Sequence, residues 1–471
     1  MVISLFLYYG IQTKSGKWLL LLFSLLFYSC FSISAVIGLT AIALISWLGE
    51  LLLSREQKKV WLGAFVTLTL FPLIGMKYFG LLQGYVLPVG ISFFTLQAVS
   101  GIVDVYKQKS EPSSFEEQFL YLSFFPTVVS GPIIKKNSFL TEINKEKVFC
   151  YEDVRRGFYR IAIGFIEKFF LADRIAKLVD YVYGHSSEVS GAQIVVATIL
   201  FGLQLYYDFA GYSHMAIGFA KCFGITIMEN FERPYFATSI KEFWRRWHMS
   251  LSSWLRDYVY IPLGGSRKGT VRRYANLIVT FLVSGVWHGV GLNYLFWGFL
   301  HGVYQVVEDK LQKRFTGNGM RVVNQGAQIN QESICITKNK GLERSILDIG
   351  KMLLVFILVD FAWLFFRAPD MATATRMVGT VVTDFQISSL ATGWWFDYGM
   401  SKIEYLVWIV VALGMFVFDV VGEKYKEFWN AFENQKMWVR WSAYVCVLFL
   451  LVMTLVIGAG SDTNSFLYQN F

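Results

Sequence analysis

Apolar runs long enough to cross a bilayer recur along nearly the whole chain, separated by short charged clusters. A transmembrane helix needs about 20 consecutive apolar residues. Trp18 to Gly49 is 32 residues without Asp, Glu, Lys or Arg, enough for one long helix or two short ones. Trp61 to Met76 adds 16 uncharged residues, and Tyr78 to Val103 is an apolar stretch broken near Pro88. Val189 to Tyr207 is uncharged, and Phe209 to Ala220 continues it after one carboxylate, Asp208. Tyr274 to Val307 is 34 residues without a formal charge. Met352 to Phe366 (interrupted by Asp360), Tyr405 to Phe418 and Trp441 to Ser461 follow, with shorter candidates at Phe119 to Ile134 and Phe158 to Val182. The pattern predicts an all-α, polytopic bundle of roughly ten to twelve helices, some entering and leaving on the same side. The N-terminal apolar region is longer than the core of a cleavable signal, so it is read as part of the mature chain.

One stretch breaks the pattern. Lys310 to Arg344 is polar and carries seven Lys or Arg. It predicts a basic extramembrane loop over 310–346 within a single membrane domain spanning 1–471. Its charge points to the cytoplasmic side.

Composition supports the membrane class. The chain is 55% hydrophobic and only 16% charged, where soluble domains carry about 25% charged residues. Disorder is excluded, because disordered chains are poor in aromatics and this one has 43 Phe and 15 Trp. The five cysteines, Cys30, Cys150, Cys222, Cys335 and Cys446, are scattered and show neither a disulfide framework nor a zinc spacing. The net charge of +9 sits between apolar runs, as the positive-inside rule expects, and nucleic-acid binding is not expected.

Ionisable groups inside apolar runs are costly and are functional candidates by default. Of the five histidines, His185 falls in a polar loop segment. The other four, His214, His248, His288 and His301, lie between positions 214 and 301. His288 sits in Ser284-Gly-Val-Trp-His-Gly289, near the middle of the 34-residue run. Gly285, Gly289 and Gly291 let backbone or substrate approach closely. An imidazole there suits a general base; it equally suits a hydrogen bond to a neighbouring helix. His248 follows a capping-box pattern, Ser239-Ile-Lys-Glu242. Phe243, Trp247, Leu251 and Trp254 then recur at helical spacing, with Arg245, Arg246, Arg256 and Asp257 on other faces. This predicts one amphipathic interfacial helix. Its arginines would contact lipid headgroups or, alternatively, form a mouth for an anionic donor, with His248 facing inward. Gln204 and Asp208, four residues apart, share a helical face, where Asp208 would orient a histidine or hold a structural network. Gly264-Gly-Ser-Arg-Lys-Gly269 reads as a tight basic turn, with a phosphate cradle as the alternative. Walker, nucleophile-elbow and zinc-helix signatures are absent, and the histidines show no metal-ligand spacing.

Together these segments resemble the membrane-bound O-acyltransferases, in their bacterial polysaccharide-acetylating branch. The residues that carry the likeness are Pro88-Val-Gly-Ile-Ser-Phe-Phe-Thr95, Phe125-Pro-Thr-Val-Val-Ser-Gly-Pro132, Asp208-Phe-Ala-Gly-Tyr-Ser213, Phe243 to Tyr258, Ile261-Pro-Leu-Gly-Gly265, Trp287-His-Gly289 and Phe361 to Pro369. The resemblance implies a ring of tilted helices around a tunnel. It implies that His288 and His248 are catalytic, with Gln204, Asp208, Tyr212, Trp244, Arg245, Arg246, Arg256, Asp257 and Trp287 supporting or binding substrate. It further implies a multi-pass protein of the cell (inner) membrane, in contact with membrane lipid. No cofactor or metal would be bound. A cytoplasmic activated thioester, acyl-CoA or acyl carrier protein, would donate the acyl group. Hydroxyls of an extracytoplasmic polysaccharide, or a carrier protein, would accept it beside a secreted or periplasmic acyltransferase partner.

A cousin branch exports D-alanine to cell-wall polymers; Ile261 to Gly265 leans toward the polysaccharide branch. His214 stands where that branch usually has Asp, the 310–344 loop is longer than usual, and the N-terminal segment is shorter. Two other classes compete with acyl transfer. A proton-coupled transporter would use Asp208, Asp360 and the histidines as a relay, and a non-enzymatic scaffold would tolerate His288→Ala.

Overall fold

In a computed structural model, residues 2–10, 14–79, 88–316, 340–424 and 432–458 are described, and among them regular structure is entirely helical. Among the described residues, five helices are long and apolar enough to cross a membrane, and three shorter apolar helices accompany them. The chain is therefore a multi-pass membrane protein. It divides into two compact units, 1–230 with 385–471, and 231–384.

The first unit holds α1 (Val2–Gly10), α2 (Lys14–Ser29), α3 (Ile33–Arg55), α4 (Lys59–Phe79), α5 (Ile91–Tyr106), α6 (Phe115–Ser123), α7 (Lys136–Asn144), α8 (Tyr151–Phe165), α9 (Asp173–Gly184) and α10 (Gly191–Cys222). The 32-residue run from Trp18 thus resolves as two helices with a turn at 30–32. The run around Pro88 lies partly outside the described residues, at 80–87. Its helical part starts after Gly90, whose φ of 79° is a left-handed conformation that glycine adopts without penalty. A side chain there would also strike the Val128 carbonyl.

Phe119 to Ile134 corrects the expectation of a short helix. Only α6 is helical, and 124–134 is an irregular segment. It is buried and tied down locally: Tyr121 donates to the Ile134 carbonyl at 2.7 Å, and the Phe125 amide donates to Ser24 at 3.1 Å. Satisfied backbone is what permits irregular chain inside a membrane protein. Asp208 does not interrupt α10, which runs unbroken for 32 residues. Between α8 and α9 the chain widens into a π-helical stretch, Ile166–Ala172. Such bulges occur often at functional sites.

That stretch gathers buried charge. Lys168, 1% exposed, pairs with Asp208 at 2.5 Å and Asp173 at 2.8 Å. His214 Nδ1 lies 2.8 Å from the Glu167 carboxylate. A second buried pair joins Lys136 of α7 to Glu50 of α3. Helices α8 and α10 cross closely enough that a side chain at Gly164 would meet the Gly211 carbonyl, the small-residue contact that membrane interiors favour. The outward faces of α2, α3 and α4 expose Leu26, Ile37, Leu48 and Phe71, as a lipid-facing surface requires. Helices α17 (Trp394–Tyr398), α18 (Lys402–Lys424) and α19 (Met437–Gly458) complete this unit.

The second unit holds α11 (Ile240–Arg246), α12 (Met249–Leu255), α13 (Thr270–His288), α14 (Leu292–Thr316), α15 (Lys340–Arg367) and α16 (Met371–Thr383). The 34-residue run is a helical hairpin, α13 and α14, with its turn at 289–291. The two helices pack at short range because Gly298 faces the Phe281 carbonyl and Gly302 faces the Ile278 backbone. The expected loop at 310–346 is shorter at both ends: α14 continues to Thr316 and α15 begins at Lys340, while 317–339, including Cys335, lies outside the described residues.

Candidate active site

The second unit concentrates three of the five histidines in a buried aromatic interior. His288 is the last residue of α13, at the hairpin turn rather than mid-span, and is 2% exposed. Its ring lies 4.7 Å from Trp287, 5.0 Å from Trp297 and 5.2 Å from Phe366, centroid to centroid. The neighbouring glycines serve backbone packing: Gly285 lies against the Tyr294 carbonyl and Gly289 against the Tyr294 ring. Asn293 fixes the third wall. Its side chain donates to the carbonyls of Phe365 and Ala368, at 3.2 and 2.9 Å, closing the C-terminal end of α15 next to Phe366. Asn293→Ala removes both bonds from a buried site and is expected to cost about 2 kcal/mol, on the usual 0.5–1.5 kcal/mol per bond. The check is a lower thermal midpoint in detergent, with the variant still inserted in membranes.

His248 overturns the single amphipathic helix. The chain breaks there, with α11 ending at Arg246 and α12 starting at Met249. His248 itself is left-handed, at φ 42° and ψ 55°. Non-glycine residues hold such conformations at a cost of about 1–3 kcal/mol, and only where the surroundings impose them. The surroundings are visible. Trp247, 1% exposed, is wedged against Phe243 and Trp363, at 5.5 and 5.1 Å. The Glu232 amide donates to the Arg246 carbonyl at 2.9 Å. The turn buries the His248 ring (1% exposed), 6.2 Å from Trp287. Two buried imidazoles therefore lie near one indole.

The start of α11 follows the capping-box pattern with a shift. Ser239 accepts from the Glu242 amide at 3.0 Å, while the Glu242 carboxylate accepts from the amide and hydroxyl of Thr238 at 2.9 and 2.8 Å. Burial raises the Glu242 carboxyl, but those bonds and Arg246 outweigh it and hold it below the usual carboxylate range. Glu308 of α14 accepts from the Ile240 and Lys241 amides, both at 3.1 Å, which locks α11 to the hairpin.

The basic residues separate into two groups. Arg246 is engaged by Glu242 at 2.7 Å. Arg245 and Arg256 line a cavity of about 510 Å³ together with Lys241, Arg273, Glu308 and Asp309. Asp257 pairs with Arg256 at 2.8 Å. Trp244 and Phe281 form part of the cavity's apolar wall. The Trp244 N–H donates to His301 Nδ1 at 3.2 Å. His301, which the sequence pattern does not single out, is fully buried. Its signal was present: His301 is four residues after Trp297, on the same face of α14.

The α10 candidates belong to the first unit. Asp208 is held by Lys168, as described. Gln204 is buried, and its side-chain oxygen has no partner among the described residues. The Tyr212 hydroxyl bonds the Val129 and Ser130 backbone. Lys168, Glu167 and Glu50 were missed because their partners are distant in sequence. The signal available was charge inside apolar surroundings. Among the described residues no group of three His, Cys, Asp or Glu has the arrangement of a metal site.

A membrane-embedded, all-helical chain with buried histidines at a helix turn and a helix break describes a class, and comparison with known proteins gives that class its name. The family model for MBOAT, the membrane-bound O-acyltransferase family, matches residues 5–327, and the chain belongs to that family. The chain is similar to the probable alginate O-acetylase AlgI of Pseudomonas putida, at 35% identity over 67% of this chain and 60% of that protein. It is similar to the peptidoglycan O-acetyltransferase of Helicobacter pylori, at 32% identity over 67% of this chain and 60% of that protein. The teichoic acid D-alanyltransferase of Bacillus subtilis matches at 30% identity over 48% of this chain and 60% of that protein. The chain thus spans about 60% of the length of these curated relatives.

Proposed function

We propose that this protein is a membrane O-acyltransferase that moves an acyl group, acetyl in the first instance, from a cytoplasmic thioester to hydroxyls of an extracytoplasmic polysaccharide, or to a partner acyltransferase that does so. Family membership supports the reaction class, and relatives named as O-acetylases or O-acetyltransferases match more of the chain than those named for D-alanine. The observation that carries the reading is the pair of buried imidazoles, His288 and His248, both within ring-contact range of Trp287.

In the reaction, the acceptor hydroxyl attacks the thioester carbonyl. His288 takes the hydroxyl proton as the new C–O bond forms. The C–S bond then breaks, and the proton passes to the departing thiolate. His248 assists by hydrogen bonding the acceptor or the developing oxyanion. Neither group is exposed to bulk water, which favours transfer over hydrolysis. The 510 Å³ basic cavity suits the anionic part of a donor, acyl-CoA or an acyl carrier protein, through Arg245, Lys241 and Arg256. Localisation to the inner membrane and a secreted or periplasmic partner belong to the same proposal.

The test compares cells producing the native chain with cells lacking it. Ester-linked groups are released from purified surface polymer with mild alkali and identified by mass. Acetate present only with the chain is the expected result. Released D-alanine moves the protein to the alanylating branch, and no difference in esters contradicts the reading.

A further inference from the structure

Among the buried N–H groups of the second unit without an acceptor among the described residues are three ring donors that touch one another: Trp297 Nε1, His301 Nε2 and Trp363 Nε1. All three side chains are 0% exposed. They form one cluster, with ring centroids 5.1 Å apart for Trp297 and His301, 5.7 Å for Trp297 and Trp363, and 6.1 Å for His301 and Trp363. Buried polar groups in native proteins are nearly always paired, so three orphans in contact need a cause. The state of the imidazole follows from its neighbour. His301 Nδ1 accepts from Trp244, so the ring is neutral and its one proton sits on Nε2. The cluster therefore offers donors only. Asp360, one turn before Trp363 on α15, has a buried Oδ1 that accepts from none of them. Trp297 also stands perpendicular to His288, at 89° and 5.0 Å.

We propose that Trp297, His301 and Trp363 form a hydrogen-bond-donor subsite beside His288 that receives an oxygen of the reacting acyl group. The ligand class is a carbonyl of a thioester or ester. This rests on the acyl-transfer reading of the same site. As the carbonyl carbon is attacked, negative charge builds on its oxygen, and fixed N–H groups in a water-poor interior stabilise that charge without reorganising. Trp244 holds the donor tautomer of His301 and lines the basic cavity, so one side chain serves both places.

The test uses substitutions that keep shape and remove donors. Trp297→Phe and Trp363→Phe retain an aromatic ring without an N–H. His301→Gln places an amide donor near the Nε2 position, whereas the shorter His301→Asn reaches Trp244 from near the Nδ1 position and places no donor at Nε2. Polymer ester is measured per folded protein, with thermal midpoints in detergent alongside. Each Phe variant is expected to lose ester ten-fold or more at an unchanged or higher midpoint, since removing an unpaired buried donor need not destabilise. His301→Gln is expected to retain more ester than His301→Asn. Wild-type ester in both Phe variants overturns the subsite, the N–H groups then resting on ring faces. If a Phe variant melts earlier, the histidine pair decides, and Asn equal to or better than Gln overturns it. His288→Ala run in parallel separates the two ideas. Ester lost there but kept in the donor variants sinks only the subsite; ester kept in His288→Ala sinks the acyl-transfer reading beneath it.

Discussion

Lys168→Met is expected to destabilise the first unit by about 3–5 kcal/mol. Lys168 is 1% exposed and faces two carboxylates, Asp208 at 2% exposed and Asp173 at 15%. Removing the ammonium leaves two like charges close together in a low-dielectric interior without the cation that pairs them both. Breaking a buried pair from one side costs about 3–5 kcal/mol. That is a large share of a typical stability of about 5–15 kcal/mol. The stability effect is specific to charge balance, so it has a built-in control: Lys168→Met combined with Asp208→Asn and Asp173→Asn is expected to recover most of the loss. Thermal midpoints of detergent-purified protein and its level in membranes report both. A single variant that melts with the native protein would show that the carboxylates take up protons at little cost, and the charge triad would then not hold α10 to the π-helical stretch.

His288→Gln is expected to have the largest effect on activity. Glutamine approximates the ring's size and hydrogen bonding but cannot take a proton from a hydroxyl. Positioned general-base catalysis contributes about 10²–10⁴-fold, so ester transfer should fall by that order. Stability should change little, because the aromatic walls of Trp287, Trp297 and Phe366 remain. His248→Gln is expected to fall less, since glutamine still hydrogen bonds. Equal losses at both positions would point instead to a shared structural role around Trp287.

The spans were legible because bilayer thickness writes itself into run length, and Trp18–Gly49 or Val189–Tyr207 are read from charge alone. His288 stands out in the sequence for a related reason: it is an imidazole in 34 uncharged residues, flanked by glycines, and there it suits a general base or a helix–helix hydrogen bond equally. The hairpin turn beside it is marked in the sequence only by Gly289 and Gly291. The break at His248 was invisible. Phe243, Trp247, Leu251 and Trp254 keep a helical period on both sides, while a left-handed residue is imposed by tertiary packing of Trp247 against Trp363, over a hundred residues away. Long-range pairing also hid the Lys168–Asp208 pair and the Trp244–His301 bond, separated by 40 and 57 positions. Periodicity reports which face of a helix is apolar, and it carries no information about which distant charge or ring completes that face.

The most direct measurement of the central claim uses cells producing native protein, His288→Ala or His248→Ala at matched folded levels in their membranes. Ester-linked groups are released from the purified surface polymer by mild alkali and quantified by mass. Loss of the ester in His288→Ala, with a smaller loss in His248→Ala, is the predicted result. Wild-type ester in His288→Ala would contradict it and make His288 a structural histidine.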